Sequence, residues 1–524
     1  MKKIRRLFHT LRYLKIKQFI YRFYYVTRSF IRKVTRHSYL NLINKESTLL
    51  DMYEGILYEN TYKDYEFTFI GITHKFEKKD INWNYAEYGK LWNYNLTYFD
   101  YLQQIDISKE EGLELIYSFI DYTEPIRGKK MPFPISLRNI NCIKFLTRLK
   151  IRDKKVDAFI FAQYQVLMDN IEYHILGNHL LENSFSLLFG AYYFQDESLY
   201  GKAFEILTEE LTEQILNDGA HFELSPMYHQ IMLFRMLDCI NLVKNNNWKN
   251  QELLMLLTTK AALMLGWLET ITYCNGEIPL LNDSANGIAP KTSELLVYAK
   301  NLNIVSSKIV LDECGYRKIS NDRYEMVIDV GNIGPDYIPG HAHSDTFNFE
   351  LYVDNKPFIV DTGLSTYETN ERRMYERSTS AHNTVEINGK NQTEVWGGFR
   401  VARRAKIISL NEKNNGIKAM HDGYMKIGCT HEREWKFLDS KITISDTIES
   451  KKPYKAISYI HFHPDIDIKI KDNIVISKYG EITFENEVIL SLTKYNYAYQ
   501  FNSYKSADVL MVEFKENILM EIKL

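Results

Sequence analysis

Two segregated domains, a helical one followed by an antiparallel β-sandwich, are what this 524-residue chain predicts. The first observation is a single change of hydrophobic period. From about Trp83 to about Leu302, segments such as LWNYNLTYFDYLQQ and QELLMLLTTKAALMLGWLETITY repeat apolar residues at three and four, the helical spacing. From about Tyr316 onward, RYEMVIDVG, TFNFELYVDNKPFIVDTG, KITISDTIES and NIVISKYGEITFENEVILSLTKY alternate with period two, the spacing of half-buried strands. The second observation is order: helices come first and strands second, which segregates the layers and makes the sheets antiparallel. The third is length, which exceeds what one ordinary core fills. The pattern divides the chain into a basic N-terminal arm over 1–40, a helical domain over 41–305 and a β domain over 306–524.

Composition excludes some functions. With 45% hydrophobic and 25% charged residues the chain is that of a folded soluble protein, and a formal net charge of -2 provides no global field for nucleic acid. The five cysteines, Cys142, Cys239, Cys274, Cys314 and Cys429, are scattered, odd in number and without a CxxC pair. They read as free thiols in a reducing compartment.

Charge is uneven along the chain. Residues 1–36 hold twelve Lys or Arg and no Asp or Glu, so the remaining 488 residues carry 53 bases against 67 acids, a balance of -14. Leu7, Leu11 and Leu14, then Ile16, Phe19, Ile20 and Phe23, recur at helical spacing, while basic residues interrupt every apolar run. The arm therefore reads as neither a transmembrane helix nor a secretion signal. Two readings remain open: an amphipathic helix on an anionic membrane surface, or a helix packed on the acidic body with its charges solvated.

Three polar clusters stand out against this background. In GNHLLENSFSLLFG, Asn178, His179 and Glu182 fall within one helical turn, with Asn178 as a cap and the others as a surface pair in the bland reading. In DGAHFELSPMYHQ, Ser225 and Pro226 mark a helix start, which puts Tyr228 in the first turn, where exposed amides and the helix dipole ease phenolate formation. In GHAHSDTFNFELYVDNKPFIVDTG, His341 and His343 lie at the mouth of a strand-like run, roughly 7 Å apart on one face if the strand includes them. Asp345, Asp361 and His382 complete the β-domain set, and two imidazoles with a carboxylate are an ordinary zinc ligand set. A metallohydrolase would place another His directly after the Asp, and Thr346 stands there instead.

Taken in order, LWNYNLTYFDYL, GNHLLEN, DGAHFELSPMYHQ, GHAHSDTFNFELYVDNKPFIVDTG and YERSTSAHNTVEINGKNQTEVW resemble the heparinase II/III-like polysaccharide lyases and their alginate-lyase relatives. The resemblance runs from about residue 65 to 440, the last strands matching only in character. It implies an α+β multidomain protein: an N-terminal incomplete (α/α) toroid, a C-terminal antiparallel β-sandwich and a cleft between them. It also implies one structural zinc ion per chain, on His343, Asp361 and His382. The family's carboxylate-neutralising residue falls on Asn178, with His179 beside it as a second substrate-binding or catalytic candidate. Its catalytic tyrosine falls on Tyr228 and its β-domain histidine on His341, while Glu182 and Glu223 match acidic positions and Arg138 in PISLRNIN is a candidate contact for the substrate carboxylate.

The chemistry implied is β-elimination at a 4-linked uronic acid, on an acidic polysaccharide. The C5 proton is barely acidic beside a charged carboxylate, so a donor such as Asn178 must stabilise the developing negative charge. Tyr228 as phenolate would take the proton and return it to the leaving C4 oxygen when both lie on one side, and His341 would be the base when they lie on opposite sides. Zinc would hold the cleft-lining strands and, through them, His341. The basic arm, and a start that does not read as a signal peptide, suggest a cytoplasmic, membrane-associated place beside surface-polysaccharide assembly; the alternative is the periplasm or cell envelope, as for secreted relatives. A second class of function, a polysaccharide-binding or assembly protein with little lyase activity, is compatible with the same fold.

Overall fold

In the computed structural model, which describes residues 2–58, 61–78, 80–122, 130–249 and 251–524, the change of period is a change of architecture. The arm forms α1 (Lys2–Leu11) and α2 (Ile16–Val34). After a small three-stranded sheet (Tyr62–Lys63, Glu66–Phe69, Ile72–Lys75), which the periodicity does not announce, the helical domain follows. Its helices are α3 (Lys90–Tyr98), α4 (Lys109–Asp121), α5 (Pro132–Arg148), α6 (Lys154–Asp169), α7 (Gly177–Phe194), α8 (Glu197–Gln214), α9 (Pro226–Asn245), α10 (Glu252–Ile271) and α11 (Thr292–Asn301).

Local chemistry sets their ends. Ser108 accepts from Glu111 N–H while the Glu111 side chain returns to the Ser108 backbone, a capping box that starts α4. Asp153 and Asp196 cap α6 and α8, each side chain accepting from two first-turn N–H groups without a reciprocal partner. The middle helices are apolar on nearly every side: all but one residue of α7 is buried, so its stability comes from packing around its whole circumference. The apolar length of α10 would suffice to cross a membrane, yet its Leu257, Ala261, Met264 and Leu268 belong to the helical core.

The β domain is a sandwich. One layer is an eight-stranded sheet whose central strands are Gly416–His421, Cys429–Leu438, Lys441–Ser450 and Asn517–Lys523, paired antiparallel. The other consists of two four-stranded sheets, Tyr316–Ser320 to Lys356–Ile359 and a set containing Val385–Ile387, Ala456–His461, Val488–Gln500 and Ser503–Phe514. These two sheets meet where Val360 N–H donates to His461 O (3.0 Å). Trp435, Ile444 and Met520 of the first layer and Ile328, Leu351 and Val512 of the second share one core. Arg433 is buried between the layers, paired with Asp446 and donating to Asn383 O (2.7 Å), which ties the sandwich to the segment carrying His382. All five cysteines are free thiols.

Among the sequence expectations, Arg138 needs correction. It lies in α5, fully buried, where one guanidinium nitrogen donates to Thr97 O (3.0 Å) and another to Gln163 Oε1 (2.8 Å), with Phe119 under the plane. Burial lowers its pKa to about 10. An arginine sealed in a helical core, with its two terminal nitrogens engaged by neighbouring helices, cannot meet a substrate carboxylate. Arg138→Met is expected to cost ~1–3 kcal/mol of stability by stranding its two acceptors; denaturant unfolding measures this. A change confined to substrate KM would contradict the assignment.

Candidate functional site

The site is assembled where α7 and α9 meet the loops that enter the β domain. The turn into α7 is tight: Leu176 has φ +69° and Gly177 φ +61°. A Cβ on Gly177 would stand 2.8 Å from Glu223 Oε1 and 2.9 Å from Ile338 Cδ1, so only glycine lets the turn close against them. Asn178 is not a cap. Its backbone N–H donates to Glu223 Oε1 (3.1 Å) and its side-chain amide to Glu223 Oε2 (3.3 Å), so a carboxylate from another segment terminates α7. Burial raises the Glu223 pKa, and nearby His341 opposes the rise.

Ser225 caps α9 as the sequence predicts, accepting from Tyr228 N–H (3.2 Å) and donating to Asp283 O (2.7 Å), with Pro226 in the first turn. Tyr228 is half-buried; its hydroxyl lies 3.1 Å from that of Tyr367 and its ring packs, tilted by 32°, against His341 with centroids 3.9 Å apart. Burial raises its phenol well above the ordinary range, with Asp283 and Glu223 adding to the rise. The expected easing of phenolate formation by the helix start is therefore outweighed, and Tyr228 is a neutral phenol at rest.

His341 and His343 lie in a loop before the strand Phe349–Val353, and not on the strand itself. They nevertheless converge, because both bind one carboxylate. His341 Nδ1 is 2.9 Å from Asp283 Oδ2, and His343 Nε2 is 2.8 Å from Asp283 Oδ1. Arg373, from the short helix α12 (Glu371–Glu376), adds a bidentate contact to the same carboxylate, 2.7 Å at Oδ2. Burial opposes charge on Asp283, but Arg373 and the two imidazoles hold its pKa well below the carboxylate range. His341 Nε2 is 3.4 Å from Glu223 Oε2, which links this hub to Asn178.

His179 is partly exposed, stacked on Phe133 at 4.4 Å and paired to Glu172 at 3.1 Å. Burial works against its charge, but the Glu172 carboxylate outweighs it and raises the pKa. Glu182 lies deeper, buried and 3.4 Å from Arg235, where burial raises its pKa against the pull of that arginine. The structure thus brings together Asn178, His179, Glu223, Tyr228 and His341, and sets Glu182 below them as the partner of Arg235. Sequence reasoning missed Asp283, Arg373, Tyr367 and Glu172. Of these, only Asp283 carries a local signal, in the aperiodic run LLNDSANG between α10 and α11.

His343, Asp361 and His382 are neighbours in the β domain. The His343 and His382 ring centroids are 5.3 Å apart, and Asp361 Oδ2 is 2.7 Å from His382 Nδ1. Asp361 raises the His382 pKa against burial, whereas burial lowers that of His343 to about 4. As placed, no three His, Cys, Asp or Glu side chains form a ready ligand shell among the described residues. The donor types suit zinc, however: His343 Nδ1, His382 Nε2 and Asp345 Oδ2 are buried without hydrogen-bond partners, an arrangement a cation would satisfy.

Fold and site together define a helical toroid joined to a β-sandwich, with a phenol, an imidazole and an amide gathered at the junction. The heparinase II/III N-terminus family model matches residues 143–305 and the heparinase II/III-like C-terminal model residues 305–517, so the chain belongs to the heparinase II/III-like family. A heparin-sulfate lyase of Bacteroides stercoris is 26% identical over 255 residues, covering 42% of this chain and 37% of that protein. A heparin-sulfate lyase of Bacteroides thetaiotaomicron is 23% identical over 242 residues, 38% of this chain and 34% of the relative. The matched region is thus little more than a third of these relatives. A heparinase III crystal structure superposes with TM-score 0.68 at 17% identity, covering 86% of this chain and 80% of the other. A heparan sulfate lyase mutant from Pedobacter heparinus gives 0.57 at 17% identity, covering 88% and 81%. These likenesses establish the toroid-plus-sandwich fold.

Proposed function

We propose that this protein is a polysaccharide lyase that cleaves a 4-linked uronic-acid-containing glycan by β-elimination. The observation that carries the reading is the contact chain Asn178, Glu223, His341, Tyr228, in which an amide donor, a base and an acid meet at the junction of the two domains. His341, anchored through Nδ1 to Asp283, takes the C5 proton at Nε2. The C5–H electron pair becomes the C4–C5 double bond, the C4–O bond breaks, and the leaving oxygen receives the Tyr228 hydroxyl proton. The products are an unsaturated uronate and a free hydroxyl on the departing sugar. A phenol held neutral by burial suits the donor role, and Tyr367, 3.1 Å away, is placed to return a proton to it. Asn178 meets the uronate carboxylate as charge builds on it. The lyase names of the relatives and the family membership support this reading.

Incubation of purified protein with a panel of uronate-containing glycans, followed by ultraviolet absorbance of the unsaturated product, tests it. Tight binding with no product from any glycan would assign the fold to glycan binding or assembly instead.

One structural zinc ion, held by His343, Asp361 and His382, belongs to the same proposal, supported by the buried ring nitrogens that lack partners. Bound there, the ion would supply rigidity to the loop that carries His341. Metal analysis is expected to find close to one zinc per chain in wild type and a large loss in His382→Ala. Equal content in both proteins, or none in either, would remove the site.

A further inference from the structure

We propose that α1 and α2 form a rigid docking surface for an anionic lipid membrane, with their apolar faces turned outward into the interfacial layer. An amphipathic helix on a soluble protein ordinarily lays its apolar stripe on the core and its charges toward water. The arm does the reverse.

On α2, the side carrying Gln18, Tyr21, Tyr25, Arg28 and Arg32 faces the body. Gln18 is buried and donates to Ile175 O (3.0 Å), Arg28 pairs with Asp169 (3.0 Å), and Lys17 at the edge of this side pairs with Glu209 (3.1 Å). The opposite side, in phase with Ile16, Phe23, Phe30 and Val34, points away, and each of these four residues is between 69% and 76% exposed. Helix α1 repeats the arrangement on the other domain. Arg6 pairs with Glu394 (2.8 Å) and Thr10 donates to Val401 O (3.1 Å), while Ile4 and Phe8 face outward. The polar face is therefore already committed to the protein, and among the described residues nothing covers the apolar face.

Charge decides between occupants. Residues 1–36 contain no acidic side chain, and exposed Lys3, Arg5 and Lys33 flank the outward stripe. The acids beneath the arm, Asp169, Glu209, Glu213 and Glu394, are ion-paired to it, so they are screened from whatever lies above. An apolar, aromatic strip bordered by cations is what an interfacial helix presents to an anionic bilayer. The elbow between the helices fixes this surface relative to the site. Lys15 Nζ lies 4.1 Å over the Tyr337 ring and the Arg404 guanidinium 3.8 Å over Tyr13, with Arg404 also paired to Asp336. These contacts brace the segment that leads into His341, so that histidine would be held at a set height above the lipid.

The test is sedimentation of the full chain with vesicles of phosphatidylcholine alone or mixed with phosphatidylglycerol, at low and high salt. Binding is expected to the mixed vesicles and to weaken with salt. The variant Phe23→Glu with Phe30→Glu should bind ~10-fold or more weakly, and Lys3→Glu with Lys33→Glu should lose mainly the salt-sensitive part. Both should keep the wild-type melting temperature, because these side chains point away from the body. Ile489→Glu, an exposed apolar residue of the β domain, should bind as wild type. The readout stands whether or not the protein cleaves a glycan. Absence of wild-type binding, or equal binding by the Phe23/Phe30 variant, would overturn the proposal, as would lipid-free self-association abolished by that variant, which would assign the face to a second copy of the chain.

Discussion

Tyr228→Phe is expected to lower turnover by ~10²–10⁴-fold, the range for loss of a positioned general acid, while substrate binding and folding stay near wild type. The substitution removes one oxygen and keeps the ring that packs against His341 with centroids 3.9 Å apart, so that contact survives. Its side-chain hydrogen bond to Tyr367 is lost, a cost of about 1 kcal/mol that thermal unfolding reads separately from turnover. The measurement is steady-state cleavage of the best glycan in the panel, with affinity measured separately and thermal unfolding as the control. Full turnover in the variant would show that Tyr228 is one of 38 tyrosines and not the proton donor.

Much of this was legible in the sequence because period reports which side of an element is covered. The Ser225–Pro226 start of α9 and the alternating strand Lys441–Ser450 stand where the pattern puts them. What the pattern could not give is which partner covers a face. The arm's helices were readable, but their orientation depends on Asp169, Glu209 and Glu394, which lie far along the chain. The place of Arg138 depends on distant partners for the same reason. A charged residue in a helix reads as surface or cleft, and only the acceptors Thr97 O and Gln163 Oε1 make a buried place tolerable. The pair of histidines was read on a strand face, whereas a loop and a distant carboxylate bring them together.

Asp283 is the clearest case of a role that periodicity cannot encode, and it carries the largest expected effect on stability. Its side chain and that of Arg373 are both fully buried, and it also receives His341 and His343. Asp283→Asn keeps the shape and removes the charge, which leaves the fully buried guanidinium of Arg373 without its bidentate carboxylate. Breaking one partner of a buried pair typically costs ~3–5 kcal/mol, because the remaining charge keeps its desolvation penalty. Arg373→Met alone strands the carboxylate in the same way, though His341 and His343 remain to share its charge, so the loss should be smaller. Combining the two substitutions removes both charges, and the double variant should be more stable than the sum of the single losses predicts. Denaturant unfolding of all four proteins closes the cycle. Turnover should fall in Asp283→Asn beyond any loss of folded protein, since His341 loses the anchor that orients its ring. Additive effects, or a loss under ~1 kcal/mol in Asp283→Asn, would mean that the charge is not confined as the geometry shows and that His341 is held by something else.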